Sequence, residues 1–462
     1  MADEPQDRQP QKDRASGENT DTVEEPVEPT YARKVMSLAM RIGDTLLSAG
    51  MPANDVVVMM LHVAEAYGLS RVHFDVTHTA IAVTYYPGRV EIPLTAIRVV
   101  ESEVVDYTEV QGLDRLSDQI RDGLPIDEAR REYDRLHQAP LPYPQWAAMV
   151  GNAGVAAAVS MMFGWSWKVV LITFVTGCLV DRFVSVLPRF RFPSFFRQAA
   201  AASLITLVAA GISTAAIHGV PFFVGVDPTL VVVGTIIMLV AGMMFVGAAQ
   251  DAIDEFYVTA TARLLEVMIW TAGIVVGIVV ALYLTRRLGI PVALAPEPVT
   301  LGPLPVQYIG ATLTSAAFAL ACYASPGAIA LSGAMGLIGW VGYALSIQAG
   351  AGEVLACTVG ALAAALVTTL FIRRTNVPGF ALITAALIPL VPGLSLYIAL
   401  FQMVGVTPGS GQLYEGLLTL FEAAGVALGM AAGASFGTYL GRPMADHIRR
   451  IRDRANRTFF RR

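Results

Sequence analysis

The chain has 462 residues, 55% of them hydrophobic and only 15% charged, with a mean hydropathy of +0.56 and a formal net charge of -5. Soluble domains carry about 25% charged residues, so this composition excludes an ordinary soluble protein and points to an integral membrane protein. The negative balance gives no basis for a nucleic-acid partner, and Cys178, Cys322 and Cys357, isolated in apolar runs, frame neither a disulfide set nor a zinc site.

Residues 1–30 are rich in acids, Gln and Pro with almost no large apolar side chain, and are expected to be a disordered acidic tail. A small soluble α+β domain is predicted over 31–140. Val35, Leu38, Ala39, Ile42, Leu46 and Leu47 recur at helical spacing up to Gly50, and after Met51-Pro52 the pattern repeats from Val56 to Tyr67. Alternation at Val72, Phe74 and Val76, at Ile81, Val83 and Tyr85, and at Val90 and Ile92 after Pro87-Gly88 predicts three antiparallel strands. Charged helices over about 108–122 and 126–138 follow, and Pro140, Pro142 and Pro144 make a stiff linker.

Ten apolar runs then come near the roughly 20 residues a bilayer requires: about 145–163, 165–187, 197–218, 229–249 and 262–284, then 306–323, 327–347, 352–372, 380–403 and 414–440. The predicted fold is an all-α polytopic membrane protein in two five-helix parts, 145–288 and 306–440. A Pro-rich external linker over 289–305 joins them and a basic tail over 441–462 follows. Arg182, Arg189, Arg191, Arg197, Arg263, Arg373, Arg374 and the tail fall on one side, against chiefly Lys168, Arg286 and Arg287 on the other. That asymmetry predicts both termini in the cytoplasm.

The two parts echo one another. Leu239-Val240-Ala241-Gly242 in the fourth run precedes Leu264-Leu265-Glu266, and Leu390-Val391-Pro392-Gly393 in the ninth precedes Leu420-Phe421-Glu422. Because each part has an odd number of spans, the second enters from the opposite side, which makes the repeat an inverted one of the kind secondary transporters use. Pro389, Pro392 and Gly393 predict an interrupted ninth span, more broken than the fourth near Gly242, and a span broken in this way needs protein or a wet cavity around it.

Acids within apolar runs mark ion or substrate pathways by default. Glu266 and Glu422 are therefore proton-coupling candidates, while Glu353 and Asp181 lie near predicted span ends. Gly242, Gln250, Asp251, Pro392, Gly393 and Ser395 are substrate-pathway candidates, and Gln348 and Gln402 are further neutral hydrogen-bonding groups. Asp251, Asp254 and Glu255 read either as a solvated face of the loop between spans four and five or as an attractor for an amino group. His73, Asp75 and His78 come without GxSxG or HExxH, so no metal, cofactor or catalytic residue is indicated.

Gly43-Asp44-Thr45-Leu46-Leu47-Ser48-Ala49-Gly50 followed by Asp55, then Val76-Thr77, the ten-span array, Ala249-Gln250-Asp251-Ala252-Ile253 and Leu390-Val391-Pro392-Gly393 together resemble the threonine/serine exporter family over about 35–440. Where relatives commonly have Arg-Asp before span five, this chain has Gln250-Asp251. The resemblance implies export of threonine and serine across the bacterial inner membrane, driven by protons. The alternatives are a membrane-anchored sensor or hydrolase acting through residues 31–140, and a passive channel. The oligomeric state is left open.

Overall fold

The computed structural model describes residues 28–87, 92–100, 105–239, 242–290, 300–371, 377–393, 395, 398, 399, 402 and 412–459, with backbone only at 242, 412, 413 and 445–459. The predicted acidic tail, most of the Pro-rich linker and the end of the basic tail lie outside these residues.

The N-terminal layer follows the hydrophobic pattern closely. Helices α1 (Pro29–Ser48) and α2 (Ala53–Ala66) are separated by Gly50, whose φ of 88° turns the chain in the left-handed region. Strands β1 (Val72–Val76), β2 (Ala80–Tyr85) and β3 (Leu94–Val99) form an antiparallel sheet in that order, with Val72 opposite Tyr85 and Tyr85 opposite Leu94. Asp106 caps α3 (Tyr107–Arg121) by accepting from the amides of Thr108 and Glu109, and α4 (Ile126–His137) completes the layer. Leu38, Ile42, Leu46, Met60, Ile81, Leu113, Leu116, Ile120 and Tyr133 form its buried core.

The third strand corrects the sequence expectation, since it runs over 94–99 and leaves Ile92 outside it; Val90 lies outside the described residues. Its inner positions are Leu94, Ala96 and Arg98, with Arg98 paired to Asp44 on α1 at 2.5 Å, whereas Ile97 and Val99 point outward and are exposed. A strand whose inner face holds alanine and a paired arginine gives no apolar alternation toward the core.

In the membrane part, α5 (Gln145–Phe163), α6 (Trp167–Val186, continued by a 3-10 turn to Phe190) and α7 (Ser194–Ile217) are long and apolar enough to cross a bilayer. So are α10 (Tyr257–Arg287), α11 (Leu304–Ala321), α12 (Pro326–Gln348), α13 (Glu353–Phe371) and α15 (Gln412–Phe459), which makes eight such helices among the described residues. Helices α8 (Pro228–Leu239) and α9 (Gly242–Ile253) are together long and apolar enough for one more, bent by 45° between them. The predicted ninth span begins as α14 (Gly379–Leu387), tightens to a 3-10 turn over Ile388–Leu390 and turns extended at Val391; most of 394–411 is outside the described residues.

The 45° bend between α8 and α9 and the opened turn after Leu390 thus both lie at the repeated tetrapeptide, of which Val240 and Ala241 fall outside the described residues. At the second, Leu390, Pro392 and Gly393 are buried, and the Cys357 thiol lies 3.9 Å from the Leu390 carbonyl as its donor. An opened turn in the membrane leaves carbonyls without helical partners, and protein neighbours supply the replacement here.

Glycines set the helix pairings. Along α15, Gly425, Gly429, Gly433, Gly437 and Gly441 lie successively against Val354, Thr358, Leu362 and Thr369 of α13, so the two helices run parallel in close contact. Likewise Gly273 and Gly277 of α10 approach the carbonyls of Phe195 and Ala199 on α7, again in parallel. In contrast, Gly151 of α5 meets Ala321 and Gly310 of α11 meets Ala158, an antiparallel pair. Since lipid removes the hydrophobic drive for helix association, backbone proximity through small residues provides the packing energy. Parallel contact between α13 and α15 also requires the chain between Phe371 and Gln412 to return across the full length of α13.

A Cβ on Gly433 would overlap the Thr358 carbonyl oxygen, whereas one on Gly211 meets nothing within 4 Å. Gly433→Leu is expected to lower the thermal stability of the detergent-purified protein by more than the ~1–3 kcal/mol typical of overpacking, with Gly211→Leu close to wild type. Equal shifts for the two variants would refute the account of α13–α15 packing.

Candidate functional site

A cavity of about 1580 Å³ lies between the N-terminal layer and the membrane helices. The α1–α2 turn, the β1–β2 turn and the start of α3 line it from one side; α7, α9, α10, α14 and α15 line it from the other. Met243 and Met244, just after the first interruption, and Leu387, just before the second, are also on its wall. The cavity thus reaches from the N-terminal layer to the helix ends beside both interruptions.

The layer is held over this cavity by a buried ion pair. Arg263 Nη1 lies 2.9 Å from Asp251 Oδ2, with side-chain exposures of 6% and 0%. Asp251 Oδ1 accepts from the Ala53 amide at 2.9 Å, and Arg263 Nη2 donates to the Met51 carbonyl at 3.0 Å. Acid and base thus grip the α1–α2 turn from its two polar ends. This corrects the expectation for Asp251: it lies on α9, wholly buried and not on a solvated loop. Only its neighbours keep the open character, with Asp254 and Gln250 on the cavity wall. Burial raises the Asp254 pKa and a hydrogen bond from Asn54 opposes the rise.

Further contacts complete the docking. Thr259 on α10 donates to the Val76 carbonyl at 3.0 Å, the Tyr107 amide donates to the Cys322 carbonyl at 2.8 Å, and the Thr108 hydroxyl donates to the Tyr323 carbonyl at 2.6 Å. The Tyr107 ring is buried in edge contacts with Phe318 and Phe380. The layer therefore touches α9 and α10 on one flank of the cavity and α11 and α14 on the other.

Of the two glutamates singled out in the sequence, the structure brings only Glu266 to the cavity. His78 Nε2, from the β1–β2 turn, lies 2.7 Å from Glu266 Oε2, each side chain about one-third exposed. Glu422 is exposed near the opposite end of α15, close to the Glu353 charge at the start of α13. Gln250 lines the cavity and Gly242 opens α9. Pro392 and Gly393 are buried and Ser395 half-buried, and none of the three is among the described lining residues. Gln402 accepts from Thr419 at 3.1 Å, and Asp181 accepts from Asn152 at 2.8 Å. His73 and Asp75 sit on the exposed face of β1, and no group of His, Cys, Asp or Glu suited to a metal occurs among the described residues.

Sequence reasoning missed His78, Arg263, Asp55, Trp270 and Arg442 as wall residues. Arg263 carried a signal, because it lies three residues before Glu266, one helical turn, in an otherwise apolar run, and Asp55 carried one through the family resemblance. Breaking a buried pair by removing one partner costs about 3–5 kcal/mol. Arg263→Ala and Asp251→Ala are each expected to destabilise the detergent-purified protein by that amount. Asp251→Asn with Arg263→Gln should lose less than the sum of its single changes, and strict additivity across that double-mutant cycle would refute the coupling.

Comparison with known proteins places this architecture. The profile of a family described as "Putative threonine/serine exporter" matches residues 37–285, and that of "Threonine/Serine exporter, ThrE" matches residues 307–439. A "Probable threonine/serine exporter" of Mycobacterium tuberculosis (strain ATCC 25618 / H37Rv) is 34% identical over 437 residues, covering 92% of this chain and 80% of that protein. The "Threonine/serine exporter" of Corynebacterium glutamicum is 30% identical over 412 residues, covering 88% and 82%. No solved structure matches the chain. Matched along both parts of its length by these profiles and by relatives of similar extent, the chain belongs to the threonine/serine exporter family, a family of transporters.

Proposed function

We propose that this protein exports threonine and serine across the bacterial inner membrane, coupled to proton entry, through two inverted five-span parts with both termini in the cytoplasm. The observation that carries the reading is the cavity itself. It is walled by polar and charged groups at the N-terminal layer and extends between the membrane helices to the helix ends beside both interruptions. Solutes bind at such interruptions in transporters because opened turns expose backbone groups to a wet interior.

Several features support the inverted arrangement. The helices third and fifth in order pair in parallel in each part, α7 with α10 and α13 with α15, while the first helices, α5 and α11, meet antiparallel. A pseudo-two-fold axis in the membrane plane relates elements in this way. The two family profiles also meet across the Pro-rich linker, between residues 285 and 307. The arginine-bearing helix ends, at Arg197, Arg263 and Arg442, all lie on the side of the N-terminal layer, which agrees with a cytoplasmic layer.

Glu266 is the proton carrier in this scheme. It faces the cavity, and its partner His78 belongs to the N-terminal layer, so loss of the glutamate charge weakens a contact that closes the cavity. Glu422 holds the corresponding place in the second part, near the outer end.

Counterflow of labelled threonine and serine in proteoliposomes, with and without a pH gradient, tests export. Glu266→Gln is expected to lose gradient-driven efflux while retaining counterflow, and Glu422→Gln to be less affected. Normal gradient-driven efflux with unchanged pH dependence in both variants would rule out these carriers. For orientation, cysteines placed at Asp13, Pro296 and Arg461 should be labelled from outside only at Pro296; external labelling at Asp13 would reverse the topology.

A further inference from the structure

Among the described residues, an acid and a base on opposite sides of the cavity wall, Asp55 and Arg442, form no ion pair. Asp55 comes from α2 and Arg442 from the stretch of α15 beside the N-terminal layer, and both side chains are exposed to the cavity they line. Neither forms an ion pair within 4.0 Å among the described residues. Yet they are near enough to act on one another. Burial raises the Asp55 pKa, Asp254 adds to the rise, Arg442 opposes it and Asp251 contributes a smaller rise. Of the other charged groups here, Arg263 holds Asp251, Glu266 holds His78 and Asp254 takes a hydrogen bond from Asn54, while Arg197 stands on the wall as a second cation. The same wall carries Arg197 Nε and Trp270 Nε1, both enclosed and without a hydrogen-bond partner among the described residues.

The charges select the kind of solute. A simple cation at Asp55 would bring positive charge toward Arg442, and a simple anion at Arg442 would meet Asp55 and Asp254. A small molecule carrying an ammonium and a carboxylate on adjacent atoms satisfies both sides and adds no net charge to a partly enclosed space, where unpaired charge is costly. We propose that Asp55 and Arg442 form the two poles of a zwitterion subsite, Asp55 accepting from an α-ammonium and Arg442 donating to the α-carboxylate. The N-terminal layer then supplies a direct substrate contact, and a bound amino acid bridges that layer to α15. This assignment rests on the exporter reading above.

Threonine counterflow by the full-length protein in proteoliposomes tests it, with N-acetylthreonine, which lacks the ammonium, and threonine methyl ester, which lacks the carboxylate, as competitors. Loss of one charge-assisted contact is expected to raise the half-saturating threonine concentration by about ten- to a hundred-fold in Asp55→Asn and in Arg442→Gln. Inhibition by N-acetylthreonine should be undiminished in Asp55→Asn, and inhibition by the methyl ester undiminished in Arg442→Gln. Asp75→Asn, on the exposed face of β1, serves as the unchanged control. Unaltered half-saturation in both variants overturns the subsite while leaving the exporter reading intact. Equal weakening of threonine and of the analogue lacking the relevant group also overturns it, as the signature of general damage. Absence of threonine counterflow in the wild type overturns the exporter reading, and this assignment with it.

Discussion

The Asp251–Arg263 pair fixes where the N-terminal layer sits, and most of the functional geometry depends on that placement. A buried ion pair rarely contributes much net stability, because desolvating both charges offsets most of their attraction. Its value here is positional. Each member has a second bond to the backbone of the α1–α2 turn, so the turn fits only where both the Met51 carbonyl and the Ala53 amide are met. The junction between α9 and α10 is shaped to the same end. Glu255 takes a left-handed φ of 69°, the Phe256 amide closes back on the Asp251 carbonyl at 2.8 Å, and Phe256 packs against the core of the layer. A non-glycine residue in that conformation costs energy, which the surrounding contacts offset.

From this anchor the β1–β2 turn falls over α10, so His78 meets Glu266 and Thr259 meets Val76. The start of α3 reaches the opposite flank at Cys322 and Tyr323. One compact layer therefore spans the mouth of a cavity whose two sides belong to different parts of the membrane region. In the proposed exporter, relative movement of those parts must stretch or release these contacts. The layer then acts as part of the pathway, not as a detached accessory.

The membrane region solves a different problem. Without a hydrophobic drive between helices, it uses glycine to bring backbones together in α13–α15, α7–α10 and α5–α11. The tight pairs form a frame, and the interrupted helices α8–α9 and α14 supply the irregular wall between them. The second interruption is lined on its packed side by Cys357 and Gly360 of α13, where the glycine lets Leu390 come close. Irregular backbone is tolerated there because neighbouring protein surrounds it.

Patterns that repeat along the chain were legible in the sequence. Apolar periodicity placed α1, α2, β1, β2, α3 and α4, run length placed the spanning helices, and the repeated tetrapeptides marked the bend between α8 and α9 and the turn that Pro389 and Pro392 open, because a proline acts on its local turn whatever surrounds it. Strand β3 was misplaced because its inward residues are chosen for a partner on α1. The site was legible only in part: Glu266 and Gln250 stood out as polar groups near apolar runs, yet nothing local distinguished Asp251, which is buried, from Asp254, which faces the cavity. His78 read as an isolated polar residue beside a strand, Asp55 entered only through the family resemblance, and Arg442 only as part of the basic tail. What separates these residues is which surface the N-terminal layer covers, and that is set by contacts between positions about 200 residues apart, such as Ala53 with Asp251. Local chemistry in the sequence determined the helices and where they break; only the tertiary structure decided which charges are paired, which are buried and which are left open to the cavity, because each of those depends on partners that no sequence spacing brings together.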